Sequence, residues 1–175
     1  MGLTLHQPDV HIIVPARNEQ DCIERCLDSL VHQQGIKFQL TVVDDDSSDQ
    51  TRCVAESFAG VRVISATQAE NGATGKCNAL ICGASGASAE WLLFTDADTF
   101  HHPGSLAGAV REAEDRAVNL LSYSPEQEVV SWSEQALMPV IFAELARSFP
   151  PDRVNDREDP LVAANGQYIL VKREV

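Results

Sequence analysis

The chain has 175 residues, 44% hydrophobic and 22% charged, which excludes a disordered polypeptide and fits a single folded domain over residues 1–175. Its 26 acidic residues against 13 basic ones leave a formal net charge of -13, which argues against a nucleic-acid partner, because phosphate backbones call for clustered Lys and Arg. The five cysteines form no CxxC pair and read as reduced, mostly buried thiols; with no apolar leader between Met1 and Val10 and no run near the roughly 18 apolar residues of a membrane span, the expected location is cytoplasmic.

The first apolar run, Val10 to Val14, predicts a buried strand that empties into Pro15-Ala16-Arg17-Asn18-Glu19. Asp21 to Gln34 sets Ile23, Leu27, Leu30 and Val31 at helical spacing, with Gly35 as the stop. A second strand, Leu40 to Val43, runs into Asp44-Asp45-Asp46. A helix over Asp49 to Phe58, a strand over Val61 to Ile64 and a helix over Lys76 to Ala87 lead to the strand Trp91 to Phe94, which ends in Thr95-Asp96-Ala97-Asp98. A helix, Ser105 to Arg116, and a strand, Val118 to Tyr123, follow. Val130 to Phe149 is apolar and interrupted by Pro139; it reads either as an amphipathic helix on a membrane face or as a core-facing helix broken at the proline. Pro150 to Pro160 is expected as a charged loop and Leu161 to Val171 as a last strand.

Strands alternating with helices predict an α/β fold, a mostly parallel sheet with helices on both faces. Ligands of such sheets sit outside the carboxyl ends of the strands, near the point where strand order reverses. The polar clusters at Arg17, Asp45 and Asp96 all fall at that edge, so they are expected to converge although they lie far apart in sequence.

Asp96 and Asp98 stand two apart where a strand ends, so both carboxylates can face one side. A hard divalent cation takes oxygen ligands, and Mg²⁺ is commonly held by one or two carboxylates while phosphates and water complete its shell. An Asp-x-Asp alone is weak, being common on solvated loops; its place after Trp91-Leu92-Leu93-Phe94 strengthens it. Asp44, Asp45 and Asp46 need compensation, and Asp49, with Ser47 and Ser48, reads as capping chemistry for the next helix. His101 or His102 offers a metal or phosphate contact, against the plainer reading of an exposed histidine. Asn71 to Cys77 is not a Walker A loop, since Gly72 stands too close to Gly75 and Cys77 replaces the Ser or Thr that would meet Mg²⁺.

Val14-Pro15-Ala16-Arg17-Asn18-Glu19, Val43 to Thr51, Gly75-Lys76-Cys77-Asn78-Ala79-Leu80 and Thr95-Asp96-Ala97-Asp98-Thr99 occur in an order that resembles family 2 glycosyltransferases, and Ala164-Asn165-Gly166-Gln167 resembles that family's small-residue segment. Thr99 to Pro103, Ser133 to Pro139 and Val154-Asn155-Asp156 look most like bacterial membrane-associated members, including hopanoid-associated ones. The resemblance implies a GT-A, Rossmann-like fold and an inverting transfer of sugar from a nucleotide-diphosphate donor, a UDP-sugar favoured, to a lipid or other hydroxyl acceptor at the inner face of the cell membrane. It implies that Pro15, Arg17 and Glu19 line the nucleotide pocket, that Asp45 accepts a hydrogen bond from the base, and that Lys76 lies near the sugar donor, although Lys76 also reads as a solvated residue opening a helix. Asp96 would contact the ribose or donor, and Asp98 would bind Mg²⁺ or Mn²⁺.

Inverting transfer needs a carboxylate to take the proton of the attacking hydroxyl. In the family it follows the small-residue segment, which here lies close to Val175, so the base is expected beyond Val175 and the chain is expected to lack its acceptor portion. Glu158-Asp159 precedes that segment and reads as a decoy. The alternatives are a non-catalytic nucleotide-sugar-binding domain and a nucleotidyltransferase, which would favour a Gly-rich basic loop where Pro15-Ala16-Arg17 stands.

Overall fold

The computed structural model describes residues 8–67, 75–126, 132–156 and 158–174, without the side chains of residues 133 and 134. The expectations for residues 1–7, for 71–74 ahead of Gly75 and for 130 and 131 lie outside the described residues.

β1 (Val10–Ala16) is buried at all but one position. Both its faces are covered, which is why its sequence is a continuous apolar run rather than an alternation. β2 (Phe38–Asp44) and β4 (Trp91–Thr95) flank it in parallel, β3 (Val61–Ser65) lies outside β2, and β6 (Tyr168–Lys172) and β5 (Leu120–Ser122) lie beyond β4, giving the order β3-β2-β1-β4-β6-β5. Only β6 runs against the rest.

Val10, Ile12 and Val14 pack with Leu40 and Val42 against Leu27 and Leu30 of α1 (Ile23–Val31), Ala55 of α2 (Thr51–Glu56) and Leu106 and Val110 of α4 (Ser105–Asp115). On the opposite face Ile13 and Val43 pack against Ala79 of α3 (Gly75–Ala84). The chain steps outward from β1 to β3 with α1 and α2 on one face, then returns through α3 on the other face to place β4 on the far side of β1. The strand order therefore reverses between β1 and β4, and the carboxyl ends of these strands frame a crevice.

Several boundaries differ from the sequence expectation. α2 starts at Thr51 rather than Asp49, because the Gln50 N–H donates to Gln20 Oε1 and the Thr51 N–H to Asp49 Oδ1, tying those residues to loops. The last strand begins at Tyr168 rather than Leu161, since Asn165 turns the chain: its N–H donates to Ser122 Oγ and its Oδ1 accepts from the Gln167 N–H. The expected loop 150–160 contains a short helix, α6 (Pro151–Val154), with Pro151 at its first position, where a missing N–H costs nothing.

α5 (Trp132–Ser148) runs through Pro139 without a break. Its described side chains are exposed except for half-buried Met138, so the core-facing alternative is corrected, and because the apolar residues are spread round the axis with no single stripe the helix is not amphipathic as the other alternative expected. No helix among the described residues is long and apolar enough to cross a membrane. The thiols are also less buried than composition suggests, for only Cys26 is buried while Cys53 and Cys77 are exposed.

Candidate functional site

The loops after β1 and β2 are latched together by backbone-to-side-chain hydrogen bonds. Asn18 N–H donates to Ser47 Oγ at 3.1 Å, Glu19 N–H to Thr51 Oγ1 at 2.7 Å and Gln20 N–H to Asp49 Oδ2 at 3.2 Å, while Asn18 Oδ1 accepts from Ser48 N–H at 2.9 Å. Asn18 and Asp46 adopt φ of 56° and 60°, a left-handed conformation that Asn and Asp tolerate better than most residues. The latch sets Arg17 Nη1 3.5 Å from Asp45 Oδ2.

The three consecutive acids part company here. Asp44 is buried and meets Arg52 Nη1 at 3.7 Å, Asp45 turns to Arg17, and Asp46 is exposed. Asp49 spends both carboxylate oxygens on the backbone N–H groups of Gln20 and Thr51 and so ties the two loops together rather than serving as the N-cap of α2, a position that Gln50 holds.

α3 approaches the sheet closely because Gly83 has no side chain; a Cβ there would stand 2.4 Å from Ile13 Cγ2. Its first turn carries Lys76 to the end of β4, where the ammonium meets Asp96 Oδ1. The Asp96 backbone is fixed from two sides. Its N–H reaches the Gln167 carbonyl at 3.4 Å, and its carbonyl accepts from Thr99 Oγ1 at 2.7 Å. Gly166 lies alongside Lys76, within 3.9 Å of Nζ for a Cβ added to it.

Pro15, Arg17, Glu19, Asp45, Lys76, Asp96 and Asp98 all line one cleft of about 240 Å³. A second hollow of the same volume at the other end of the strands, lined by Asp9, Glu90 and Arg111 among others, takes none of them, so convergence rather than size distinguishes the site. Within the cleft four carboxylates face two cations. Glu19 Oε2 accepts from the Cys22 thiol at 3.1 Å, Asp45 has Arg17 and Asp96 has Lys76, which leaves the exposed Asp98. Burial, the bond to Glu19 and the charges of Glu19 and Asp98 push the Cys22 thiol up to about 12, so it stays protonated.

No group of three or more His, Cys, Asp or Glu able to hold a metal occurs among the described residues. The cleft carboxylate left open to a hard cation is Asp98, and the remaining oxygens would have to come from a ligand or water.

His101 is not available as a metal or phosphate contact. It is 6% exposed, and its Nε2 faces Thr95 Oγ1 and Thr99 Oγ1; His102 is exposed and packs edge-on against Phe100. Asp159 is engaged twice by Arg153, at 2.7 and 3.1 Å, and accepts from the Leu161 N–H, so its carboxylate is bound up in loop structure, while Glu158 is exposed. Sequence reasoning missed the roles of Asn18, Ser47 and Thr51 as a latch and of the Gln167 carbonyl as an anchor. The signals were present, as small polar residues in two loops that had to meet.

The sequence model of the family described as Glycosyl transferase family 2 matches residues 11–175. The chain is similar to the 4,4'-diaponeurosporenoate glycosyltransferase of Staphylococcus haemolyticus, 40% identical over 91 residues that cover 51% of this chain and 24% of the relative. Among solved structures it resembles the mannosyltransferase PcManGT from Pyrobaculum calidifontis in complex with GDP-Man and Mn²⁺, with TM-score 0.64, 26% identity and coverage of 97% of this chain and 46% of that one. It also resembles S. aureus TarS in complex with UDP-GlcNAc, with TM-score 0.56, 26% identity and coverage of 71% and 37%. The chain thus spans less than half the length of these proteins.

Proposed function

The chain belongs to glycosyl transferase family 2 and has a GT-A fold, and from that premise we propose that its cleft binds a nucleoside-diphospho-sugar, a UDP-sugar favoured, for inverting, metal-dependent transfer to a lipid or other hydroxyl acceptor. The observation that carries this reading is the meeting of Arg17, Asp45, Lys76, Asp96 and Asp98 in one crevice at the strand-order reversal. The Mn²⁺, GDP-Man and UDP-GlcNAc of the similar solved structures support it.

Each residue has work suited to its surroundings. Asp45, held by Arg17, is an acceptor for the N3–H of uracil, and Pro15, Arg17 and Glu19 form the wall of the base pocket. Lys76 brings positive charge beside Asp96 to the diphosphate side, and Asp96 faces the ribose. Asp98, exposed and with neither a cation nor a side-chain hydrogen bond among the described residues, fits Mg²⁺ or Mn²⁺ as a single protein ligand supplemented by phosphate oxygens. Such an ion, when bound, neutralises charge on the diphosphate leaving group. We assign none of the four cleft carboxylates to the base role, since each has another partner or task.

α5 exposes Trp132, Leu137, Val140, Ile141 and Leu145, and its Glu144 and Arg147 neutralise each other at 2.7 Å; these exposed apolar side chains, although spread round the axis, support contact of this helix with the cell membrane that holds the acceptor. Calorimetric titration with UDP- and GDP-sugars, with and without Mn²⁺, tests the donor reading: UDP-sugars should bind more tightly and need the metal, and absence of binding by both classes refutes it. Flotation with neutral liposomes tests the membrane reading, which fails if the protein stays in the aqueous layer.

A further inference from the structure

Beneath the Asp96-Ala97-Asp98 turn lies a buried polar knot whose side chains do not line the cleft and are nearly closed to solvent. Thr95 and Thr99, the residues flanking the turn, bring their hydroxyls to 2.9 Å of each other. His101 Nε2 stands 3.2 Å from Thr95 Oγ1 and 3.0 Å from Thr99 Oγ1. The hydroxyl protons are already committed to carbonyls, since Thr95 Oγ1 donates to Gln167 O at 3.0 Å and Thr99 Oγ1 to Asp96 O at 2.7 Å. The ring proton therefore belongs on Nε2, and the neutral imidazole donates to the pair of hydroxyl oxygens.

The His101 backbone is itself anchored to the core. His101 N–H donates to Ser29 Oγ of α1 at 3.1 Å, and Gln33 Nε2, just past the end of α1, donates to His101 O at 3.3 Å and His102 O at 2.9 Å. Gln33 Oε1 accepts from Leu106 N–H at 3.1 Å, and the Tyr168 ring lies 5.8 Å from the His101 ring. A rigid line of bonds thus runs from α1 through Gln33 and His101 to both ends of the turn.

We infer that His101 is the positioning residue of the Asp96-Asp98 turn: its Nε2–H clamps Thr95 to Thr99 and so fixes the spacing and direction of the two carboxylates. The part of this inference that concerns a metal rests on the donor reading above; the part that concerns the turn stands on the hydrogen bonds alone. Burial holds the His101 imidazole down to about 4, which keeps it neutral and able to serve this way at ordinary pH.

The test compares wild type with His101→Phe, which fills the volume without a ring N–H, His101→Gln, which restores a donor, and Gln33→Met, which removes the Gln33 bonds to the His101 and His102 carbonyls. Amide exchange is read without ligand, and UDP affinity is read with and without Mn²⁺. His101→Phe and Gln33→Met should speed exchange over residues 96–99 about tenfold while β1 and β2 stay protected, and should weaken Mn²⁺-dependent UDP binding about tenfold, as loss of an outer-shell support does. Metal-free UDP binding should change less than about twofold, and His101→Gln should return both readouts to within about threefold of wild type. Unchanged exchange in the turn for both His101→Phe and Gln33→Met overturns the inference whatever UDP does. Equal weakening with and without Mn²⁺ overturns its metal part, whereas wild type that binds no UDP refutes the donor reading and leaves the exchange result to decide the clamp.

Discussion

Lys76, in the first turn of α3, rests its ammonium on Oδ1 of Asp96 at the end of β4, so the return crossover of the sheet is closed by an ion pair at the crevice. The pair is partly exposed, at 48% and 24% of the two side chains, and is worth at most about 1 kcal/mol to stability. Its greater consequence is for charge in the cleft. Lys76→Ala should leave stability nearly unchanged, tighten binding of free Mn²⁺ in the cleft by removing a positive charge beside it, and weaken UDP-sugar binding roughly tenfold through loss of a charged hydrogen-bond donor. Titrations with Mn²⁺ alone and with the complete sugar nucleotide read the two effects; movement of both in the same direction would contradict the assignment.

The Arg17–Asp45 pair belongs to the nucleobase end. Asp45→Ala removes an acceptor for the base and also releases Arg17, so UDP-sugar affinity should fall by about one to two orders of magnitude, the scale of a hydrogen bond to a charged group. Mn²⁺ affinity in the absence of nucleotide should hold. A loss of metal binding of the same size would mean that Asp45 serves the cation rather than the base.

Gly83 sets how closely α3 can lie on the sheet. A methyl group there meets Ile13 Cγ2 at 2.4 Å and Val43 Cγ2 at 3.0 Å, both on β-branched residues of central strands that have little freedom to turn aside. Gly83→Ala should therefore destabilise the fold by about 1–3 kcal/mol despite the better helix propensity of alanine. Chemical denaturation measures this directly, and a stabilised variant would show that α3 is free to shift.

Stability should depend on His101 as pH falls. The folded chain holds its imidazole at about 4 against an ordinary value of 6.5, because burial disfavours the cation. The unfolded chain therefore takes up a proton first, so the contribution is complete above about pH 6.5 and is lost as pH drops toward about 4. Burial, together with the Arg62 charge, lowers His11 in the same direction, so the wild-type curve carries both. Comparison with His101→Gln isolates one: between about pH 7.5 and about pH 5 the variant should lose about 2 kcal/mol less than wild type. Parallel curves would mean that His101 is accessible to protons in the folded chain.

The parts of the molecule that were legible in the sequence are those set by continuous apolar runs. Val10–Val14, Leu40–Val43 and Trp91–Phe94 read as buried strands, and their carboxyl ends brought Arg17, Asp45 and Asp96 together as expected. What escaped were features decided by hydrogen bonds between distant loops. The shortened α2 follows from Asp49 and Gln50 bonding to Gln20, the late start of β6 follows from Asn165 bonding to Ser122, and the burial of His101 follows from Thr95 and Thr99. None of these has a periodic signature. α5 failed for another reason, since apolar residues spread round a helix say that it needs cover without saying from what.

Asp98 carries the central claim, as the exposed cleft carboxylate that, among the described residues, has neither a cation nor a side-chain hydrogen bond. The most direct measurement is the affinity of a UDP-sugar with and without Mn²⁺ for wild type and Asp98→Ala. Wild type should bind at least about tenfold more tightly with Mn²⁺, and Asp98→Ala should lose that difference while keeping its fold and its metal-free affinity. A metal dependence that survives in Asp98→Ala, or a wild type that binds no sugar nucleotide under either condition, would contradict the account.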